Sequence, residues 1–292
     1  MSLASYIFCK MCAKSDKKRD EGLEIPVDVE YIRNIRYGEN KKYHTMDICW
    51  PKGMGRKKKL PVIISVHGGG YVYGSKEVYQ FYAASLCRKG FVVINYNYRL
   101  APKYKFPAPL EDLNAVLNWV IKKQREYQMD PEKVFLVGDS AGAQIASQYG
   151  AMYANKEYRK VMGIEVPEIK LCGLGLCCGT YDLQKRIRED GGKGMMRDYL
   201  GKEPEKYGEK LDVLKYISKE YPPTYLFSSK GDFLVEECKP MAELLRSRGV
   251  ECAYKVYGTE ETGHVFHVDI RNGFSSGANS EQLDFFKKLM EE

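Results

Sequence analysis

Nowhere in these 292 residues does an uninterrupted apolar stretch reach the length needed to cross a bilayer. The start of the chain also lacks the charged segment, apolar core and small-residue cleavage site of a secretion signal. The expectation is therefore a soluble, cytoplasmic protein with no membrane partner. Paired-cysteine spacing is missing too: the nine cysteines are odd in number and form no framework, which excludes a disulfide scaffold and agrees with a reducing compartment. Cys9 and Cys12 make one isolated C-x-x-C with no second pair at zinc-site spacing, so they read as ordinary thiols. Nor is there a strong charge of one sign, because 46 lysines and arginines are scattered among 39 acids for a net +7. That balance, without aromatics interleaved along a basic stripe, excludes a nucleic-acid surface. The compact run Arg56-Lys57-Lys58-Lys59, beside Gly53 and Gly55, reads as a solvated loop. Histidine is scarce as well, only His44, His67, His264 and His267, which narrows the search for a general base.

What is present is an alternation of two periods. Strand-like runs recur at Val29 to Arg36, His44 to Trp50, Leu60 to Val66, Phe91 to Tyr96, Val134 to Val137, Ile169 to Leu176, Thr224 to Ser228 and Cys252 to Tyr257. Helical patterns fall between or after them at Glu77 to Lys89, Leu110 to Tyr127, Ala143 to Tyr153, Lys239 to Arg248 and Glu281 to Met290. This order predicts an α/β fold: a mostly parallel, eight-stranded sheet with helices on both faces and an antiparallel edge made by the first two runs. Residues 26–292 form the main domain in this reading. Segments 1–25 and 184–218 do not fit the alternation and are candidates for a small two-segment cap, the second one leaving the carboxyl edge where open α/β sheets bind ligands.

The chemistry concentrates at Gly138-Asp139-Ser140-Ala141-Gly142, directly after the apolar run Val134 to Val137 and before a helical stretch. Glycines two residues to either side leave room for a sharp strand-to-helix turn that pushes the serine hydroxyl out at the sheet edge. A serine needs a base to take its proton. His264, in the loop Thr262 to Phe266 after the last strand, is the best placed; His267 is the second choice. The imidazole in turn needs a carboxylate on its other nitrogen. Asp232 leads, emerging just after the strand Thr224 to Ser228, with Asp182, Glu236 and Glu237 as rivals. No acid or cysteine grouping completes a metal site around His264 and His267, and the chemistry requires no cofactor. His67-Gly68-Gly69-Gly70-Tyr71 follows the apolar run ending at Val66. The bare amides of Gly69 and Gly70, with that of Ala141, are candidates for an oxyanion hole. His67, Tyr71 and Asp139 complete the pocket-side list, His67 by orienting the loop; Tyr73, Tyr79 and Tyr82 are further aromatics beside it. Arg99 and Asp112 are read as a structural ion pair across a segment stiffened by Pro102 and Pro107.

The His67-Gly68-Gly69-Gly70 loop, the Gly138 to Gly142 turn, and Asn97-Tyr98-Arg99-Leu100-Ala101-Pro102 with Phe106-Pro107-Ala108 and Asp112 resemble the hormone-sensitive-lipase branch of α/β-hydrolase esterases, from about Val29 onwards. The resemblance implies Ser140 as nucleophile, Asp232 and His264 as its partners, Gly69, Gly70 and Ala141 as the oxyanion hole, and a cap over the site. The chain departs from the family pattern at Phe233 and Val235, where a proline and an acid are frequent. The expected activity is hydrolysis of short-chain or acetyl esters of small molecules, because the cap candidates lack the long apolar stretches of a lipase lid. An arylformamidase, a sugar or drug deacetylase, and a catalytically silent small-molecule receptor of the same fold are the alternatives. A homodimer through the last strand or its helix is also a candidate arrangement.

Overall fold

Leu60–Val66 (β3) and Val92–Tyr96 (β4) are buried along nearly their whole length, the signature of strands covered on both faces. Successive residues there serve opposite layers. Val62, Ile64, Val66 and Ile94 join one apolar core, while Ile63 and Val93 join the other. The computed structural model describes residues 1–54, 58–190 and 193–291, so Arg56 and Lys57 of the basic run lie outside the described residues. The remaining strands are β1 (Val29–Arg36), β2 (Thr45–Pro51), β5 (Met129–Asp139), β6 (Leu171–Cys177), β7 (Thr224–Ser229) and β8 (Cys252–Tyr257). They form one eight-stranded sheet in the order β1-β2-β4-β3-β5-β6-β7-β8. β1 and β2 are antiparallel, β2 is antiparallel to β4, and β3 to β8 are parallel, as the sequence pattern predicts.

Helices α2 (Gln80–Cys87) and α9 (Ser275–Lys288) cover one face, through Ala83, Leu86, Leu283 and Phe286. On the other lie α3 (Ala108–Lys123), α4 (Ala141–Ala154), α5 (Lys156–Met162) and α8 (Val235–Ser247). Segment 1–25, a cap candidate with no element assigned from the sequence, carries the 18-residue helix α1 (Leu3–Asp20), whose Ser2 cap accepts from the Ser5 amide. Segment 184–218 is broken into α6 (Leu183–Asp190), α7 (Gly194–Leu200) and 3-10 turns. The two segments touch: the Ser2 amide donates to Asp198 of α7 at 2.8 Å. Among the described residues no helix is long and apolar enough to cross a membrane.

One buried carboxylate fixes the chain between β4 and α3. Asp112 accepts from the Arg99 amide at 2.7 Å and from the Arg99 guanidinium at 2.8 Å, with His44 Nε2 at 3.1 Å. The ion pair expected between Arg99 and Asp112 is present, and His44 joins it. Removing a buried partner strands the opposite charge, so Asp112→Ala is expected to cost about 3–5 kcal/mol. Glu111→Ala, which breaks only the more exposed bond to Arg99, is expected to cost less than about 1 kcal/mol. Urea unfolding midpoints of the two variants check this, and equal midpoints would remove Asp112 from its anchoring role.

Candidate active site

β5 ends at Asp139 and α4 begins at Ala141, leaving Ser140 alone between them with φ 51° and ψ −118°. Such a conformation strains a residue with a side chain and survives only where its surroundings enforce it. Here the enforcement is backbone packing. Any Cβ on Gly142 would overlap the carbonyl oxygen of Val66 at the end of β3, and one on Gly138 would overlap the Gly142 backbone. The Ser140 amide donates to the Cys177 carbonyl at 3.0 Å, which ties the turn to β6 as well.

Asp232 lies just beyond β7, and its Oδ1 is 2.6 Å from His264 Nδ1 in the loop after β8. The same carboxylate accepts from Ser228 Oγ at 2.6 Å and from the Leu234 amide at 3.0 Å. Burial favours its neutral form, but the bonds from His264, Ser228 and Leu234 prevail and its pKa is lowered. For His264 burial again opposes charge, yet Asp232 and then the Cys178 thiol raise its pKa to about 9. This pair thus stabilises an imidazolium. The ring lies against that of Phe233, tilted by 41° with centroids 4.4 Å apart. Ser140 and His264 line the same two cavities, although no hydrogen bond joins the serine hydroxyl to the ring in this structure. Rival acids fall elsewhere: Asp182 accepts from the Lys185 amide, Glu237 pairs with Lys185 at 2.6 Å, and Glu236 sits in the first turn of α8.

Cys178 was invisible to motif reasoning. It follows β6 directly, has φ 50°, is wholly buried, and accepts from the Val265 amide at 3.5 Å. Cys177 Sγ lies 3.4 Å away and Ser228 Oγ 3.7 Å away. Burial pushes the thiol up, but hydrogen bonds from Cys177 and His264 outweigh it and bring the pKa down to about 7. Donor atoms of Cys178, Asp232 and His264 all lie within 4.8 Å of one another. Its one sequence signal was position, the residue after a strand at the same sheet edge as Ser140 and Asp232.

Opposite this group, the loop after β3 turns back with φ 113° at Gly69 and 57° at Gly70. A side chain at Gly69 would overlap the Tyr73 carbonyl. Among the described residues neither glycine amide has a hydrogen-bond partner, and that of Ala141 is the first of α4, which has no acceptor within its own helix. The Gly68 amide donates to the Tyr79 hydroxyl, which donates to Asp139 at 2.7 Å. Burial of Asp139 raises its pKa to about 7 against the Tyr79 bond.

Two cavities meet at Ser140. One, of about 350 Å³, has Asp139, Tyr73 and Tyr79 in its wall together with Cys12, Asp16 and Arg19 of α1. The other, about 110 Å³, is bounded by Gly70, Tyr71, Ala141, Met195, Met196 and Phe233. Phe8 borders both. Two expected positions need correction. His67 reaches neither cavity: it is buried behind the loop, donating to the Gly68 carbonyl at 2.8 Å and stacked on Tyr98 at 4.0 Å, where it props the glycines from beneath. His267 is no candidate base, because its ring is buried against Tyr82 and Phe227.

A mostly parallel sheet, an elbow after β5 and a histidine loop after β8 define an α/β-hydrolase. The BD-FAE family model matches residues 46–246, over two thirds of the chain, and the chain belongs to that family. The Tulipa gesneriana protein tuliposide A-converting enzyme 1, chloroplastic, is 28% identical over 252 residues, covering 79% of this chain; the chain spans 63% of that relative's length. An acetyl esterase of Salmonella schwarzengrund is 26% identical over 248 residues, 78% of this chain and 72% of its own. Among solved structures, esterase B from Lactobacillus rhamnosis, in a crystal structure with a tributyrin phosphonate, superposes with a TM-score of 0.90 at 22% identity, over 98% of this chain and 94% of that one. A bacterial heroin esterase superposes with a TM-score of 0.74 at 21% identity, over 96% and 90% of the two chains. These structures share the fold.

The buried histidines make stability sensitive to acid. Burial lowers the pKa of His67 to about 4 and of His267 to about 3. An unfolded histidine titrates near about 6.5, so below that pH the unfolded chain binds protons that the folded chain refuses. The contribution of these two histidines is therefore complete above about 6.5 and is lost as pH drops toward their folded-state values, whereas that of His264, raised to about 9, is full below about 6.5 and fades as pH rises through 9. Thermal unfolding midpoints should decline as pH falls below about 6.5, and less steeply in His267→Gln. An identical slope in that variant would discount His267 as a source.

Proposed function

We propose that this chain hydrolyses carboxylic esters of small molecules through an acyl-enzyme. The carrying observation is the strained Ser140 held between two cavities that His264, bonded to Asp232, also lines. In this reading Ser140 attacks the carbonyl carbon and His264 in its neutral form, a fraction that grows as pH rises toward its pKa of about 9, takes its proton. Asp232 holds the imidazole in the tautomer that leaves Nε2 free and stabilises the charge it acquires. The amides of Gly69, Gly70 and Ala141 stabilise the oxyanion, an effect worth about 3 kcal/mol for a single donor. Imidazolium then protonates the leaving alcohol, and water repeats the sequence on the acyl-enzyme. Each step uses side chains and amides of this chain, with no cofactor.

The smaller, mainly apolar cavity suits a short acyl group, and the larger one, with Asp16, Arg19 and Asp269 in its wall, suits a polar alcohol. Segments 1–25 and 184–218 act as the cap, since α1 supplies Phe8, Cys12 and Asp16 and the second segment Arg186, Met195 and Met196. The names of the Salmonella and Lactobacillus relatives point the same way. A cytoplasmic setting accords with the nine unpaired cysteines, and the open edge of β8 is where a second copy would add.

Hydrolysis of p-nitrophenyl esters from acetate to palmitate tests this. Turnover is expected to peak at short chains. Ser140→Ala should lower kcat by about 10⁴-fold or more, and Asp232→Asn by about 10⁴-fold through loss of tautomer control, both with unchanged circular dichroism. Full activity in Ser140→Ala would end the serine mechanism. A long-chain peak would instead overturn the short acyl site.

A further inference from the structure

Cys178 forms no bond in the proposed acyl transfer, although its sulfur raises the pKa of His264 and is built into the same cluster as the Asp232–His264 pair. Three donors of different kinds converge there: a thiol sulfur, a carboxylate oxygen and an imidazole nitrogen, all within 4.8 Å. That is a donor set for zinc, which bonds sulfur at about 2.3 Å and nitrogen or oxygen at about 2.0–2.2 Å. Outer partners orient the group as well. Ser228 holds the second carboxylate oxygen at 2.6 Å, and the Val265 amide donates to the sulfur at 3.5 Å. Both backbone positions involved, Cys178 at φ 50° and Val265 at φ 61°, are fixed in the left-handed region. His264, its side chain 22% exposed, is the donor with room to move and faces the larger cavity, whose charged lining is Asp16, Asp139, Asp269 and Arg19.

We propose that Cys178 Sγ, the Asp232 carboxylate and His264 Nδ1 form a binding site for a thiophilic divalent cation of the zinc class, and that occupation switches the active site off. The cation replaces the proton between Asp232 and His264. It bonds Nδ1, a carboxylate oxygen and the sulfur; the thiol proton and the Nδ1 proton of the imidazolium both pass to solvent, and the ring keeps its remaining proton on Nε2. No electron changes hands. With Nε2 now a donor, the ring cannot accept the proton of Ser140. Magnesium, which demands octahedral oxygen ligands, does not fit this donor set.

The inhibition rests on the proposed hydrolysis, whereas binding does not, so the two are measured apart. Because Cys12 also faces the larger cavity, the full chain is used in a Cys9→Ser/Cys12→Ser background. Cobalt(II) titration should give one equivalent of binding with a thiolate-to-cobalt charge-transfer band, retained in Ser140→Ala and lost in Cys178→Ser. Zinc affinity in Cys178→Ser should fall by more than the roughly 10–100-fold that an outer partner of a metal ligand is worth. Zinc should suppress ester hydrolysis, EDTA should restore it, and whatever basal rate Cys178→Ser retains should be the same with and without zinc. No band with Cys178 intact, or a band that survives Cys178→Ser, overturns the site. Equal zinc inhibition of the two proteins overturns the switch. Binding without any esterase activity would count against the proposed function alone.

Discussion

Everything at this site depends on a contact with no side chains in it: the first turn of α4 lies directly against the end of β3. Gly142 touches the Val66 and His67 carbonyls so closely that a methyl group does not fit, and Val66 is paired with Gly138 across the two strands. That approach forces the chain at Ser140 into its strained positive-φ conformation and brings the α4 amino terminus beside the glycine loop. Serine hydroxyl, loop amides and first helical amide are therefore placed by one steric constraint. Hydrogen bonds from Ser140 to β6 and from Tyr98 to the His67 carbonyl then hold what packing has positioned.

Charge management is the second layer. A buried carboxylate is costly unless its oxygens are occupied. Asp232 meets that condition with bonds from His264, Ser228 and Leu234, and Asp112 meets it with Arg99 and His44. Asp139 has the Tyr79 hydroxyl against it and drifts toward its protonated form. Asp232 and Asp139 thus titrate in opposite directions, because three donors outweigh burial at the first and one hydroxyl does not at the second.

How much of this was legible in the sequence follows from the range of each constraint. Strands buried on both faces wrote themselves as unbroken apolar runs, so β3, β4 and β7 fall within a residue of expectation. β5 starts at Met129 rather than Val134, because Asp130, Pro131, Glu132 and Lys133 hide its first half among residues that strands seldom use. α5 escaped notice: it is seven residues long and marked only by Asn155 at its start and Gly163 at its end. α1 has no apolar stripe to betray it, as Ser5 alone of its residues is buried while Leu3, Ile7 and Met11 are exposed. Ser140, the glycine loop, Asp232 and His264 were readable because each sits in a local pattern. Cys178 is not in one; its neighbours at the site are 50 and more residues away along the chain, and only the sheet brings them together.

Phe8 separates the two cavities at Ser140 while belonging to both. Its helix is held by side-chain bonds such as Asp16 to Tyr73 and Arg19 to the Val78 carbonyl, and by the packing of Phe8 and Cys9 against the main apolar core. The partition is thus a single aromatic side chain carried by α1. Because one ring borders both chambers, a larger or smaller side chain at position 8 would change the room in each of them together.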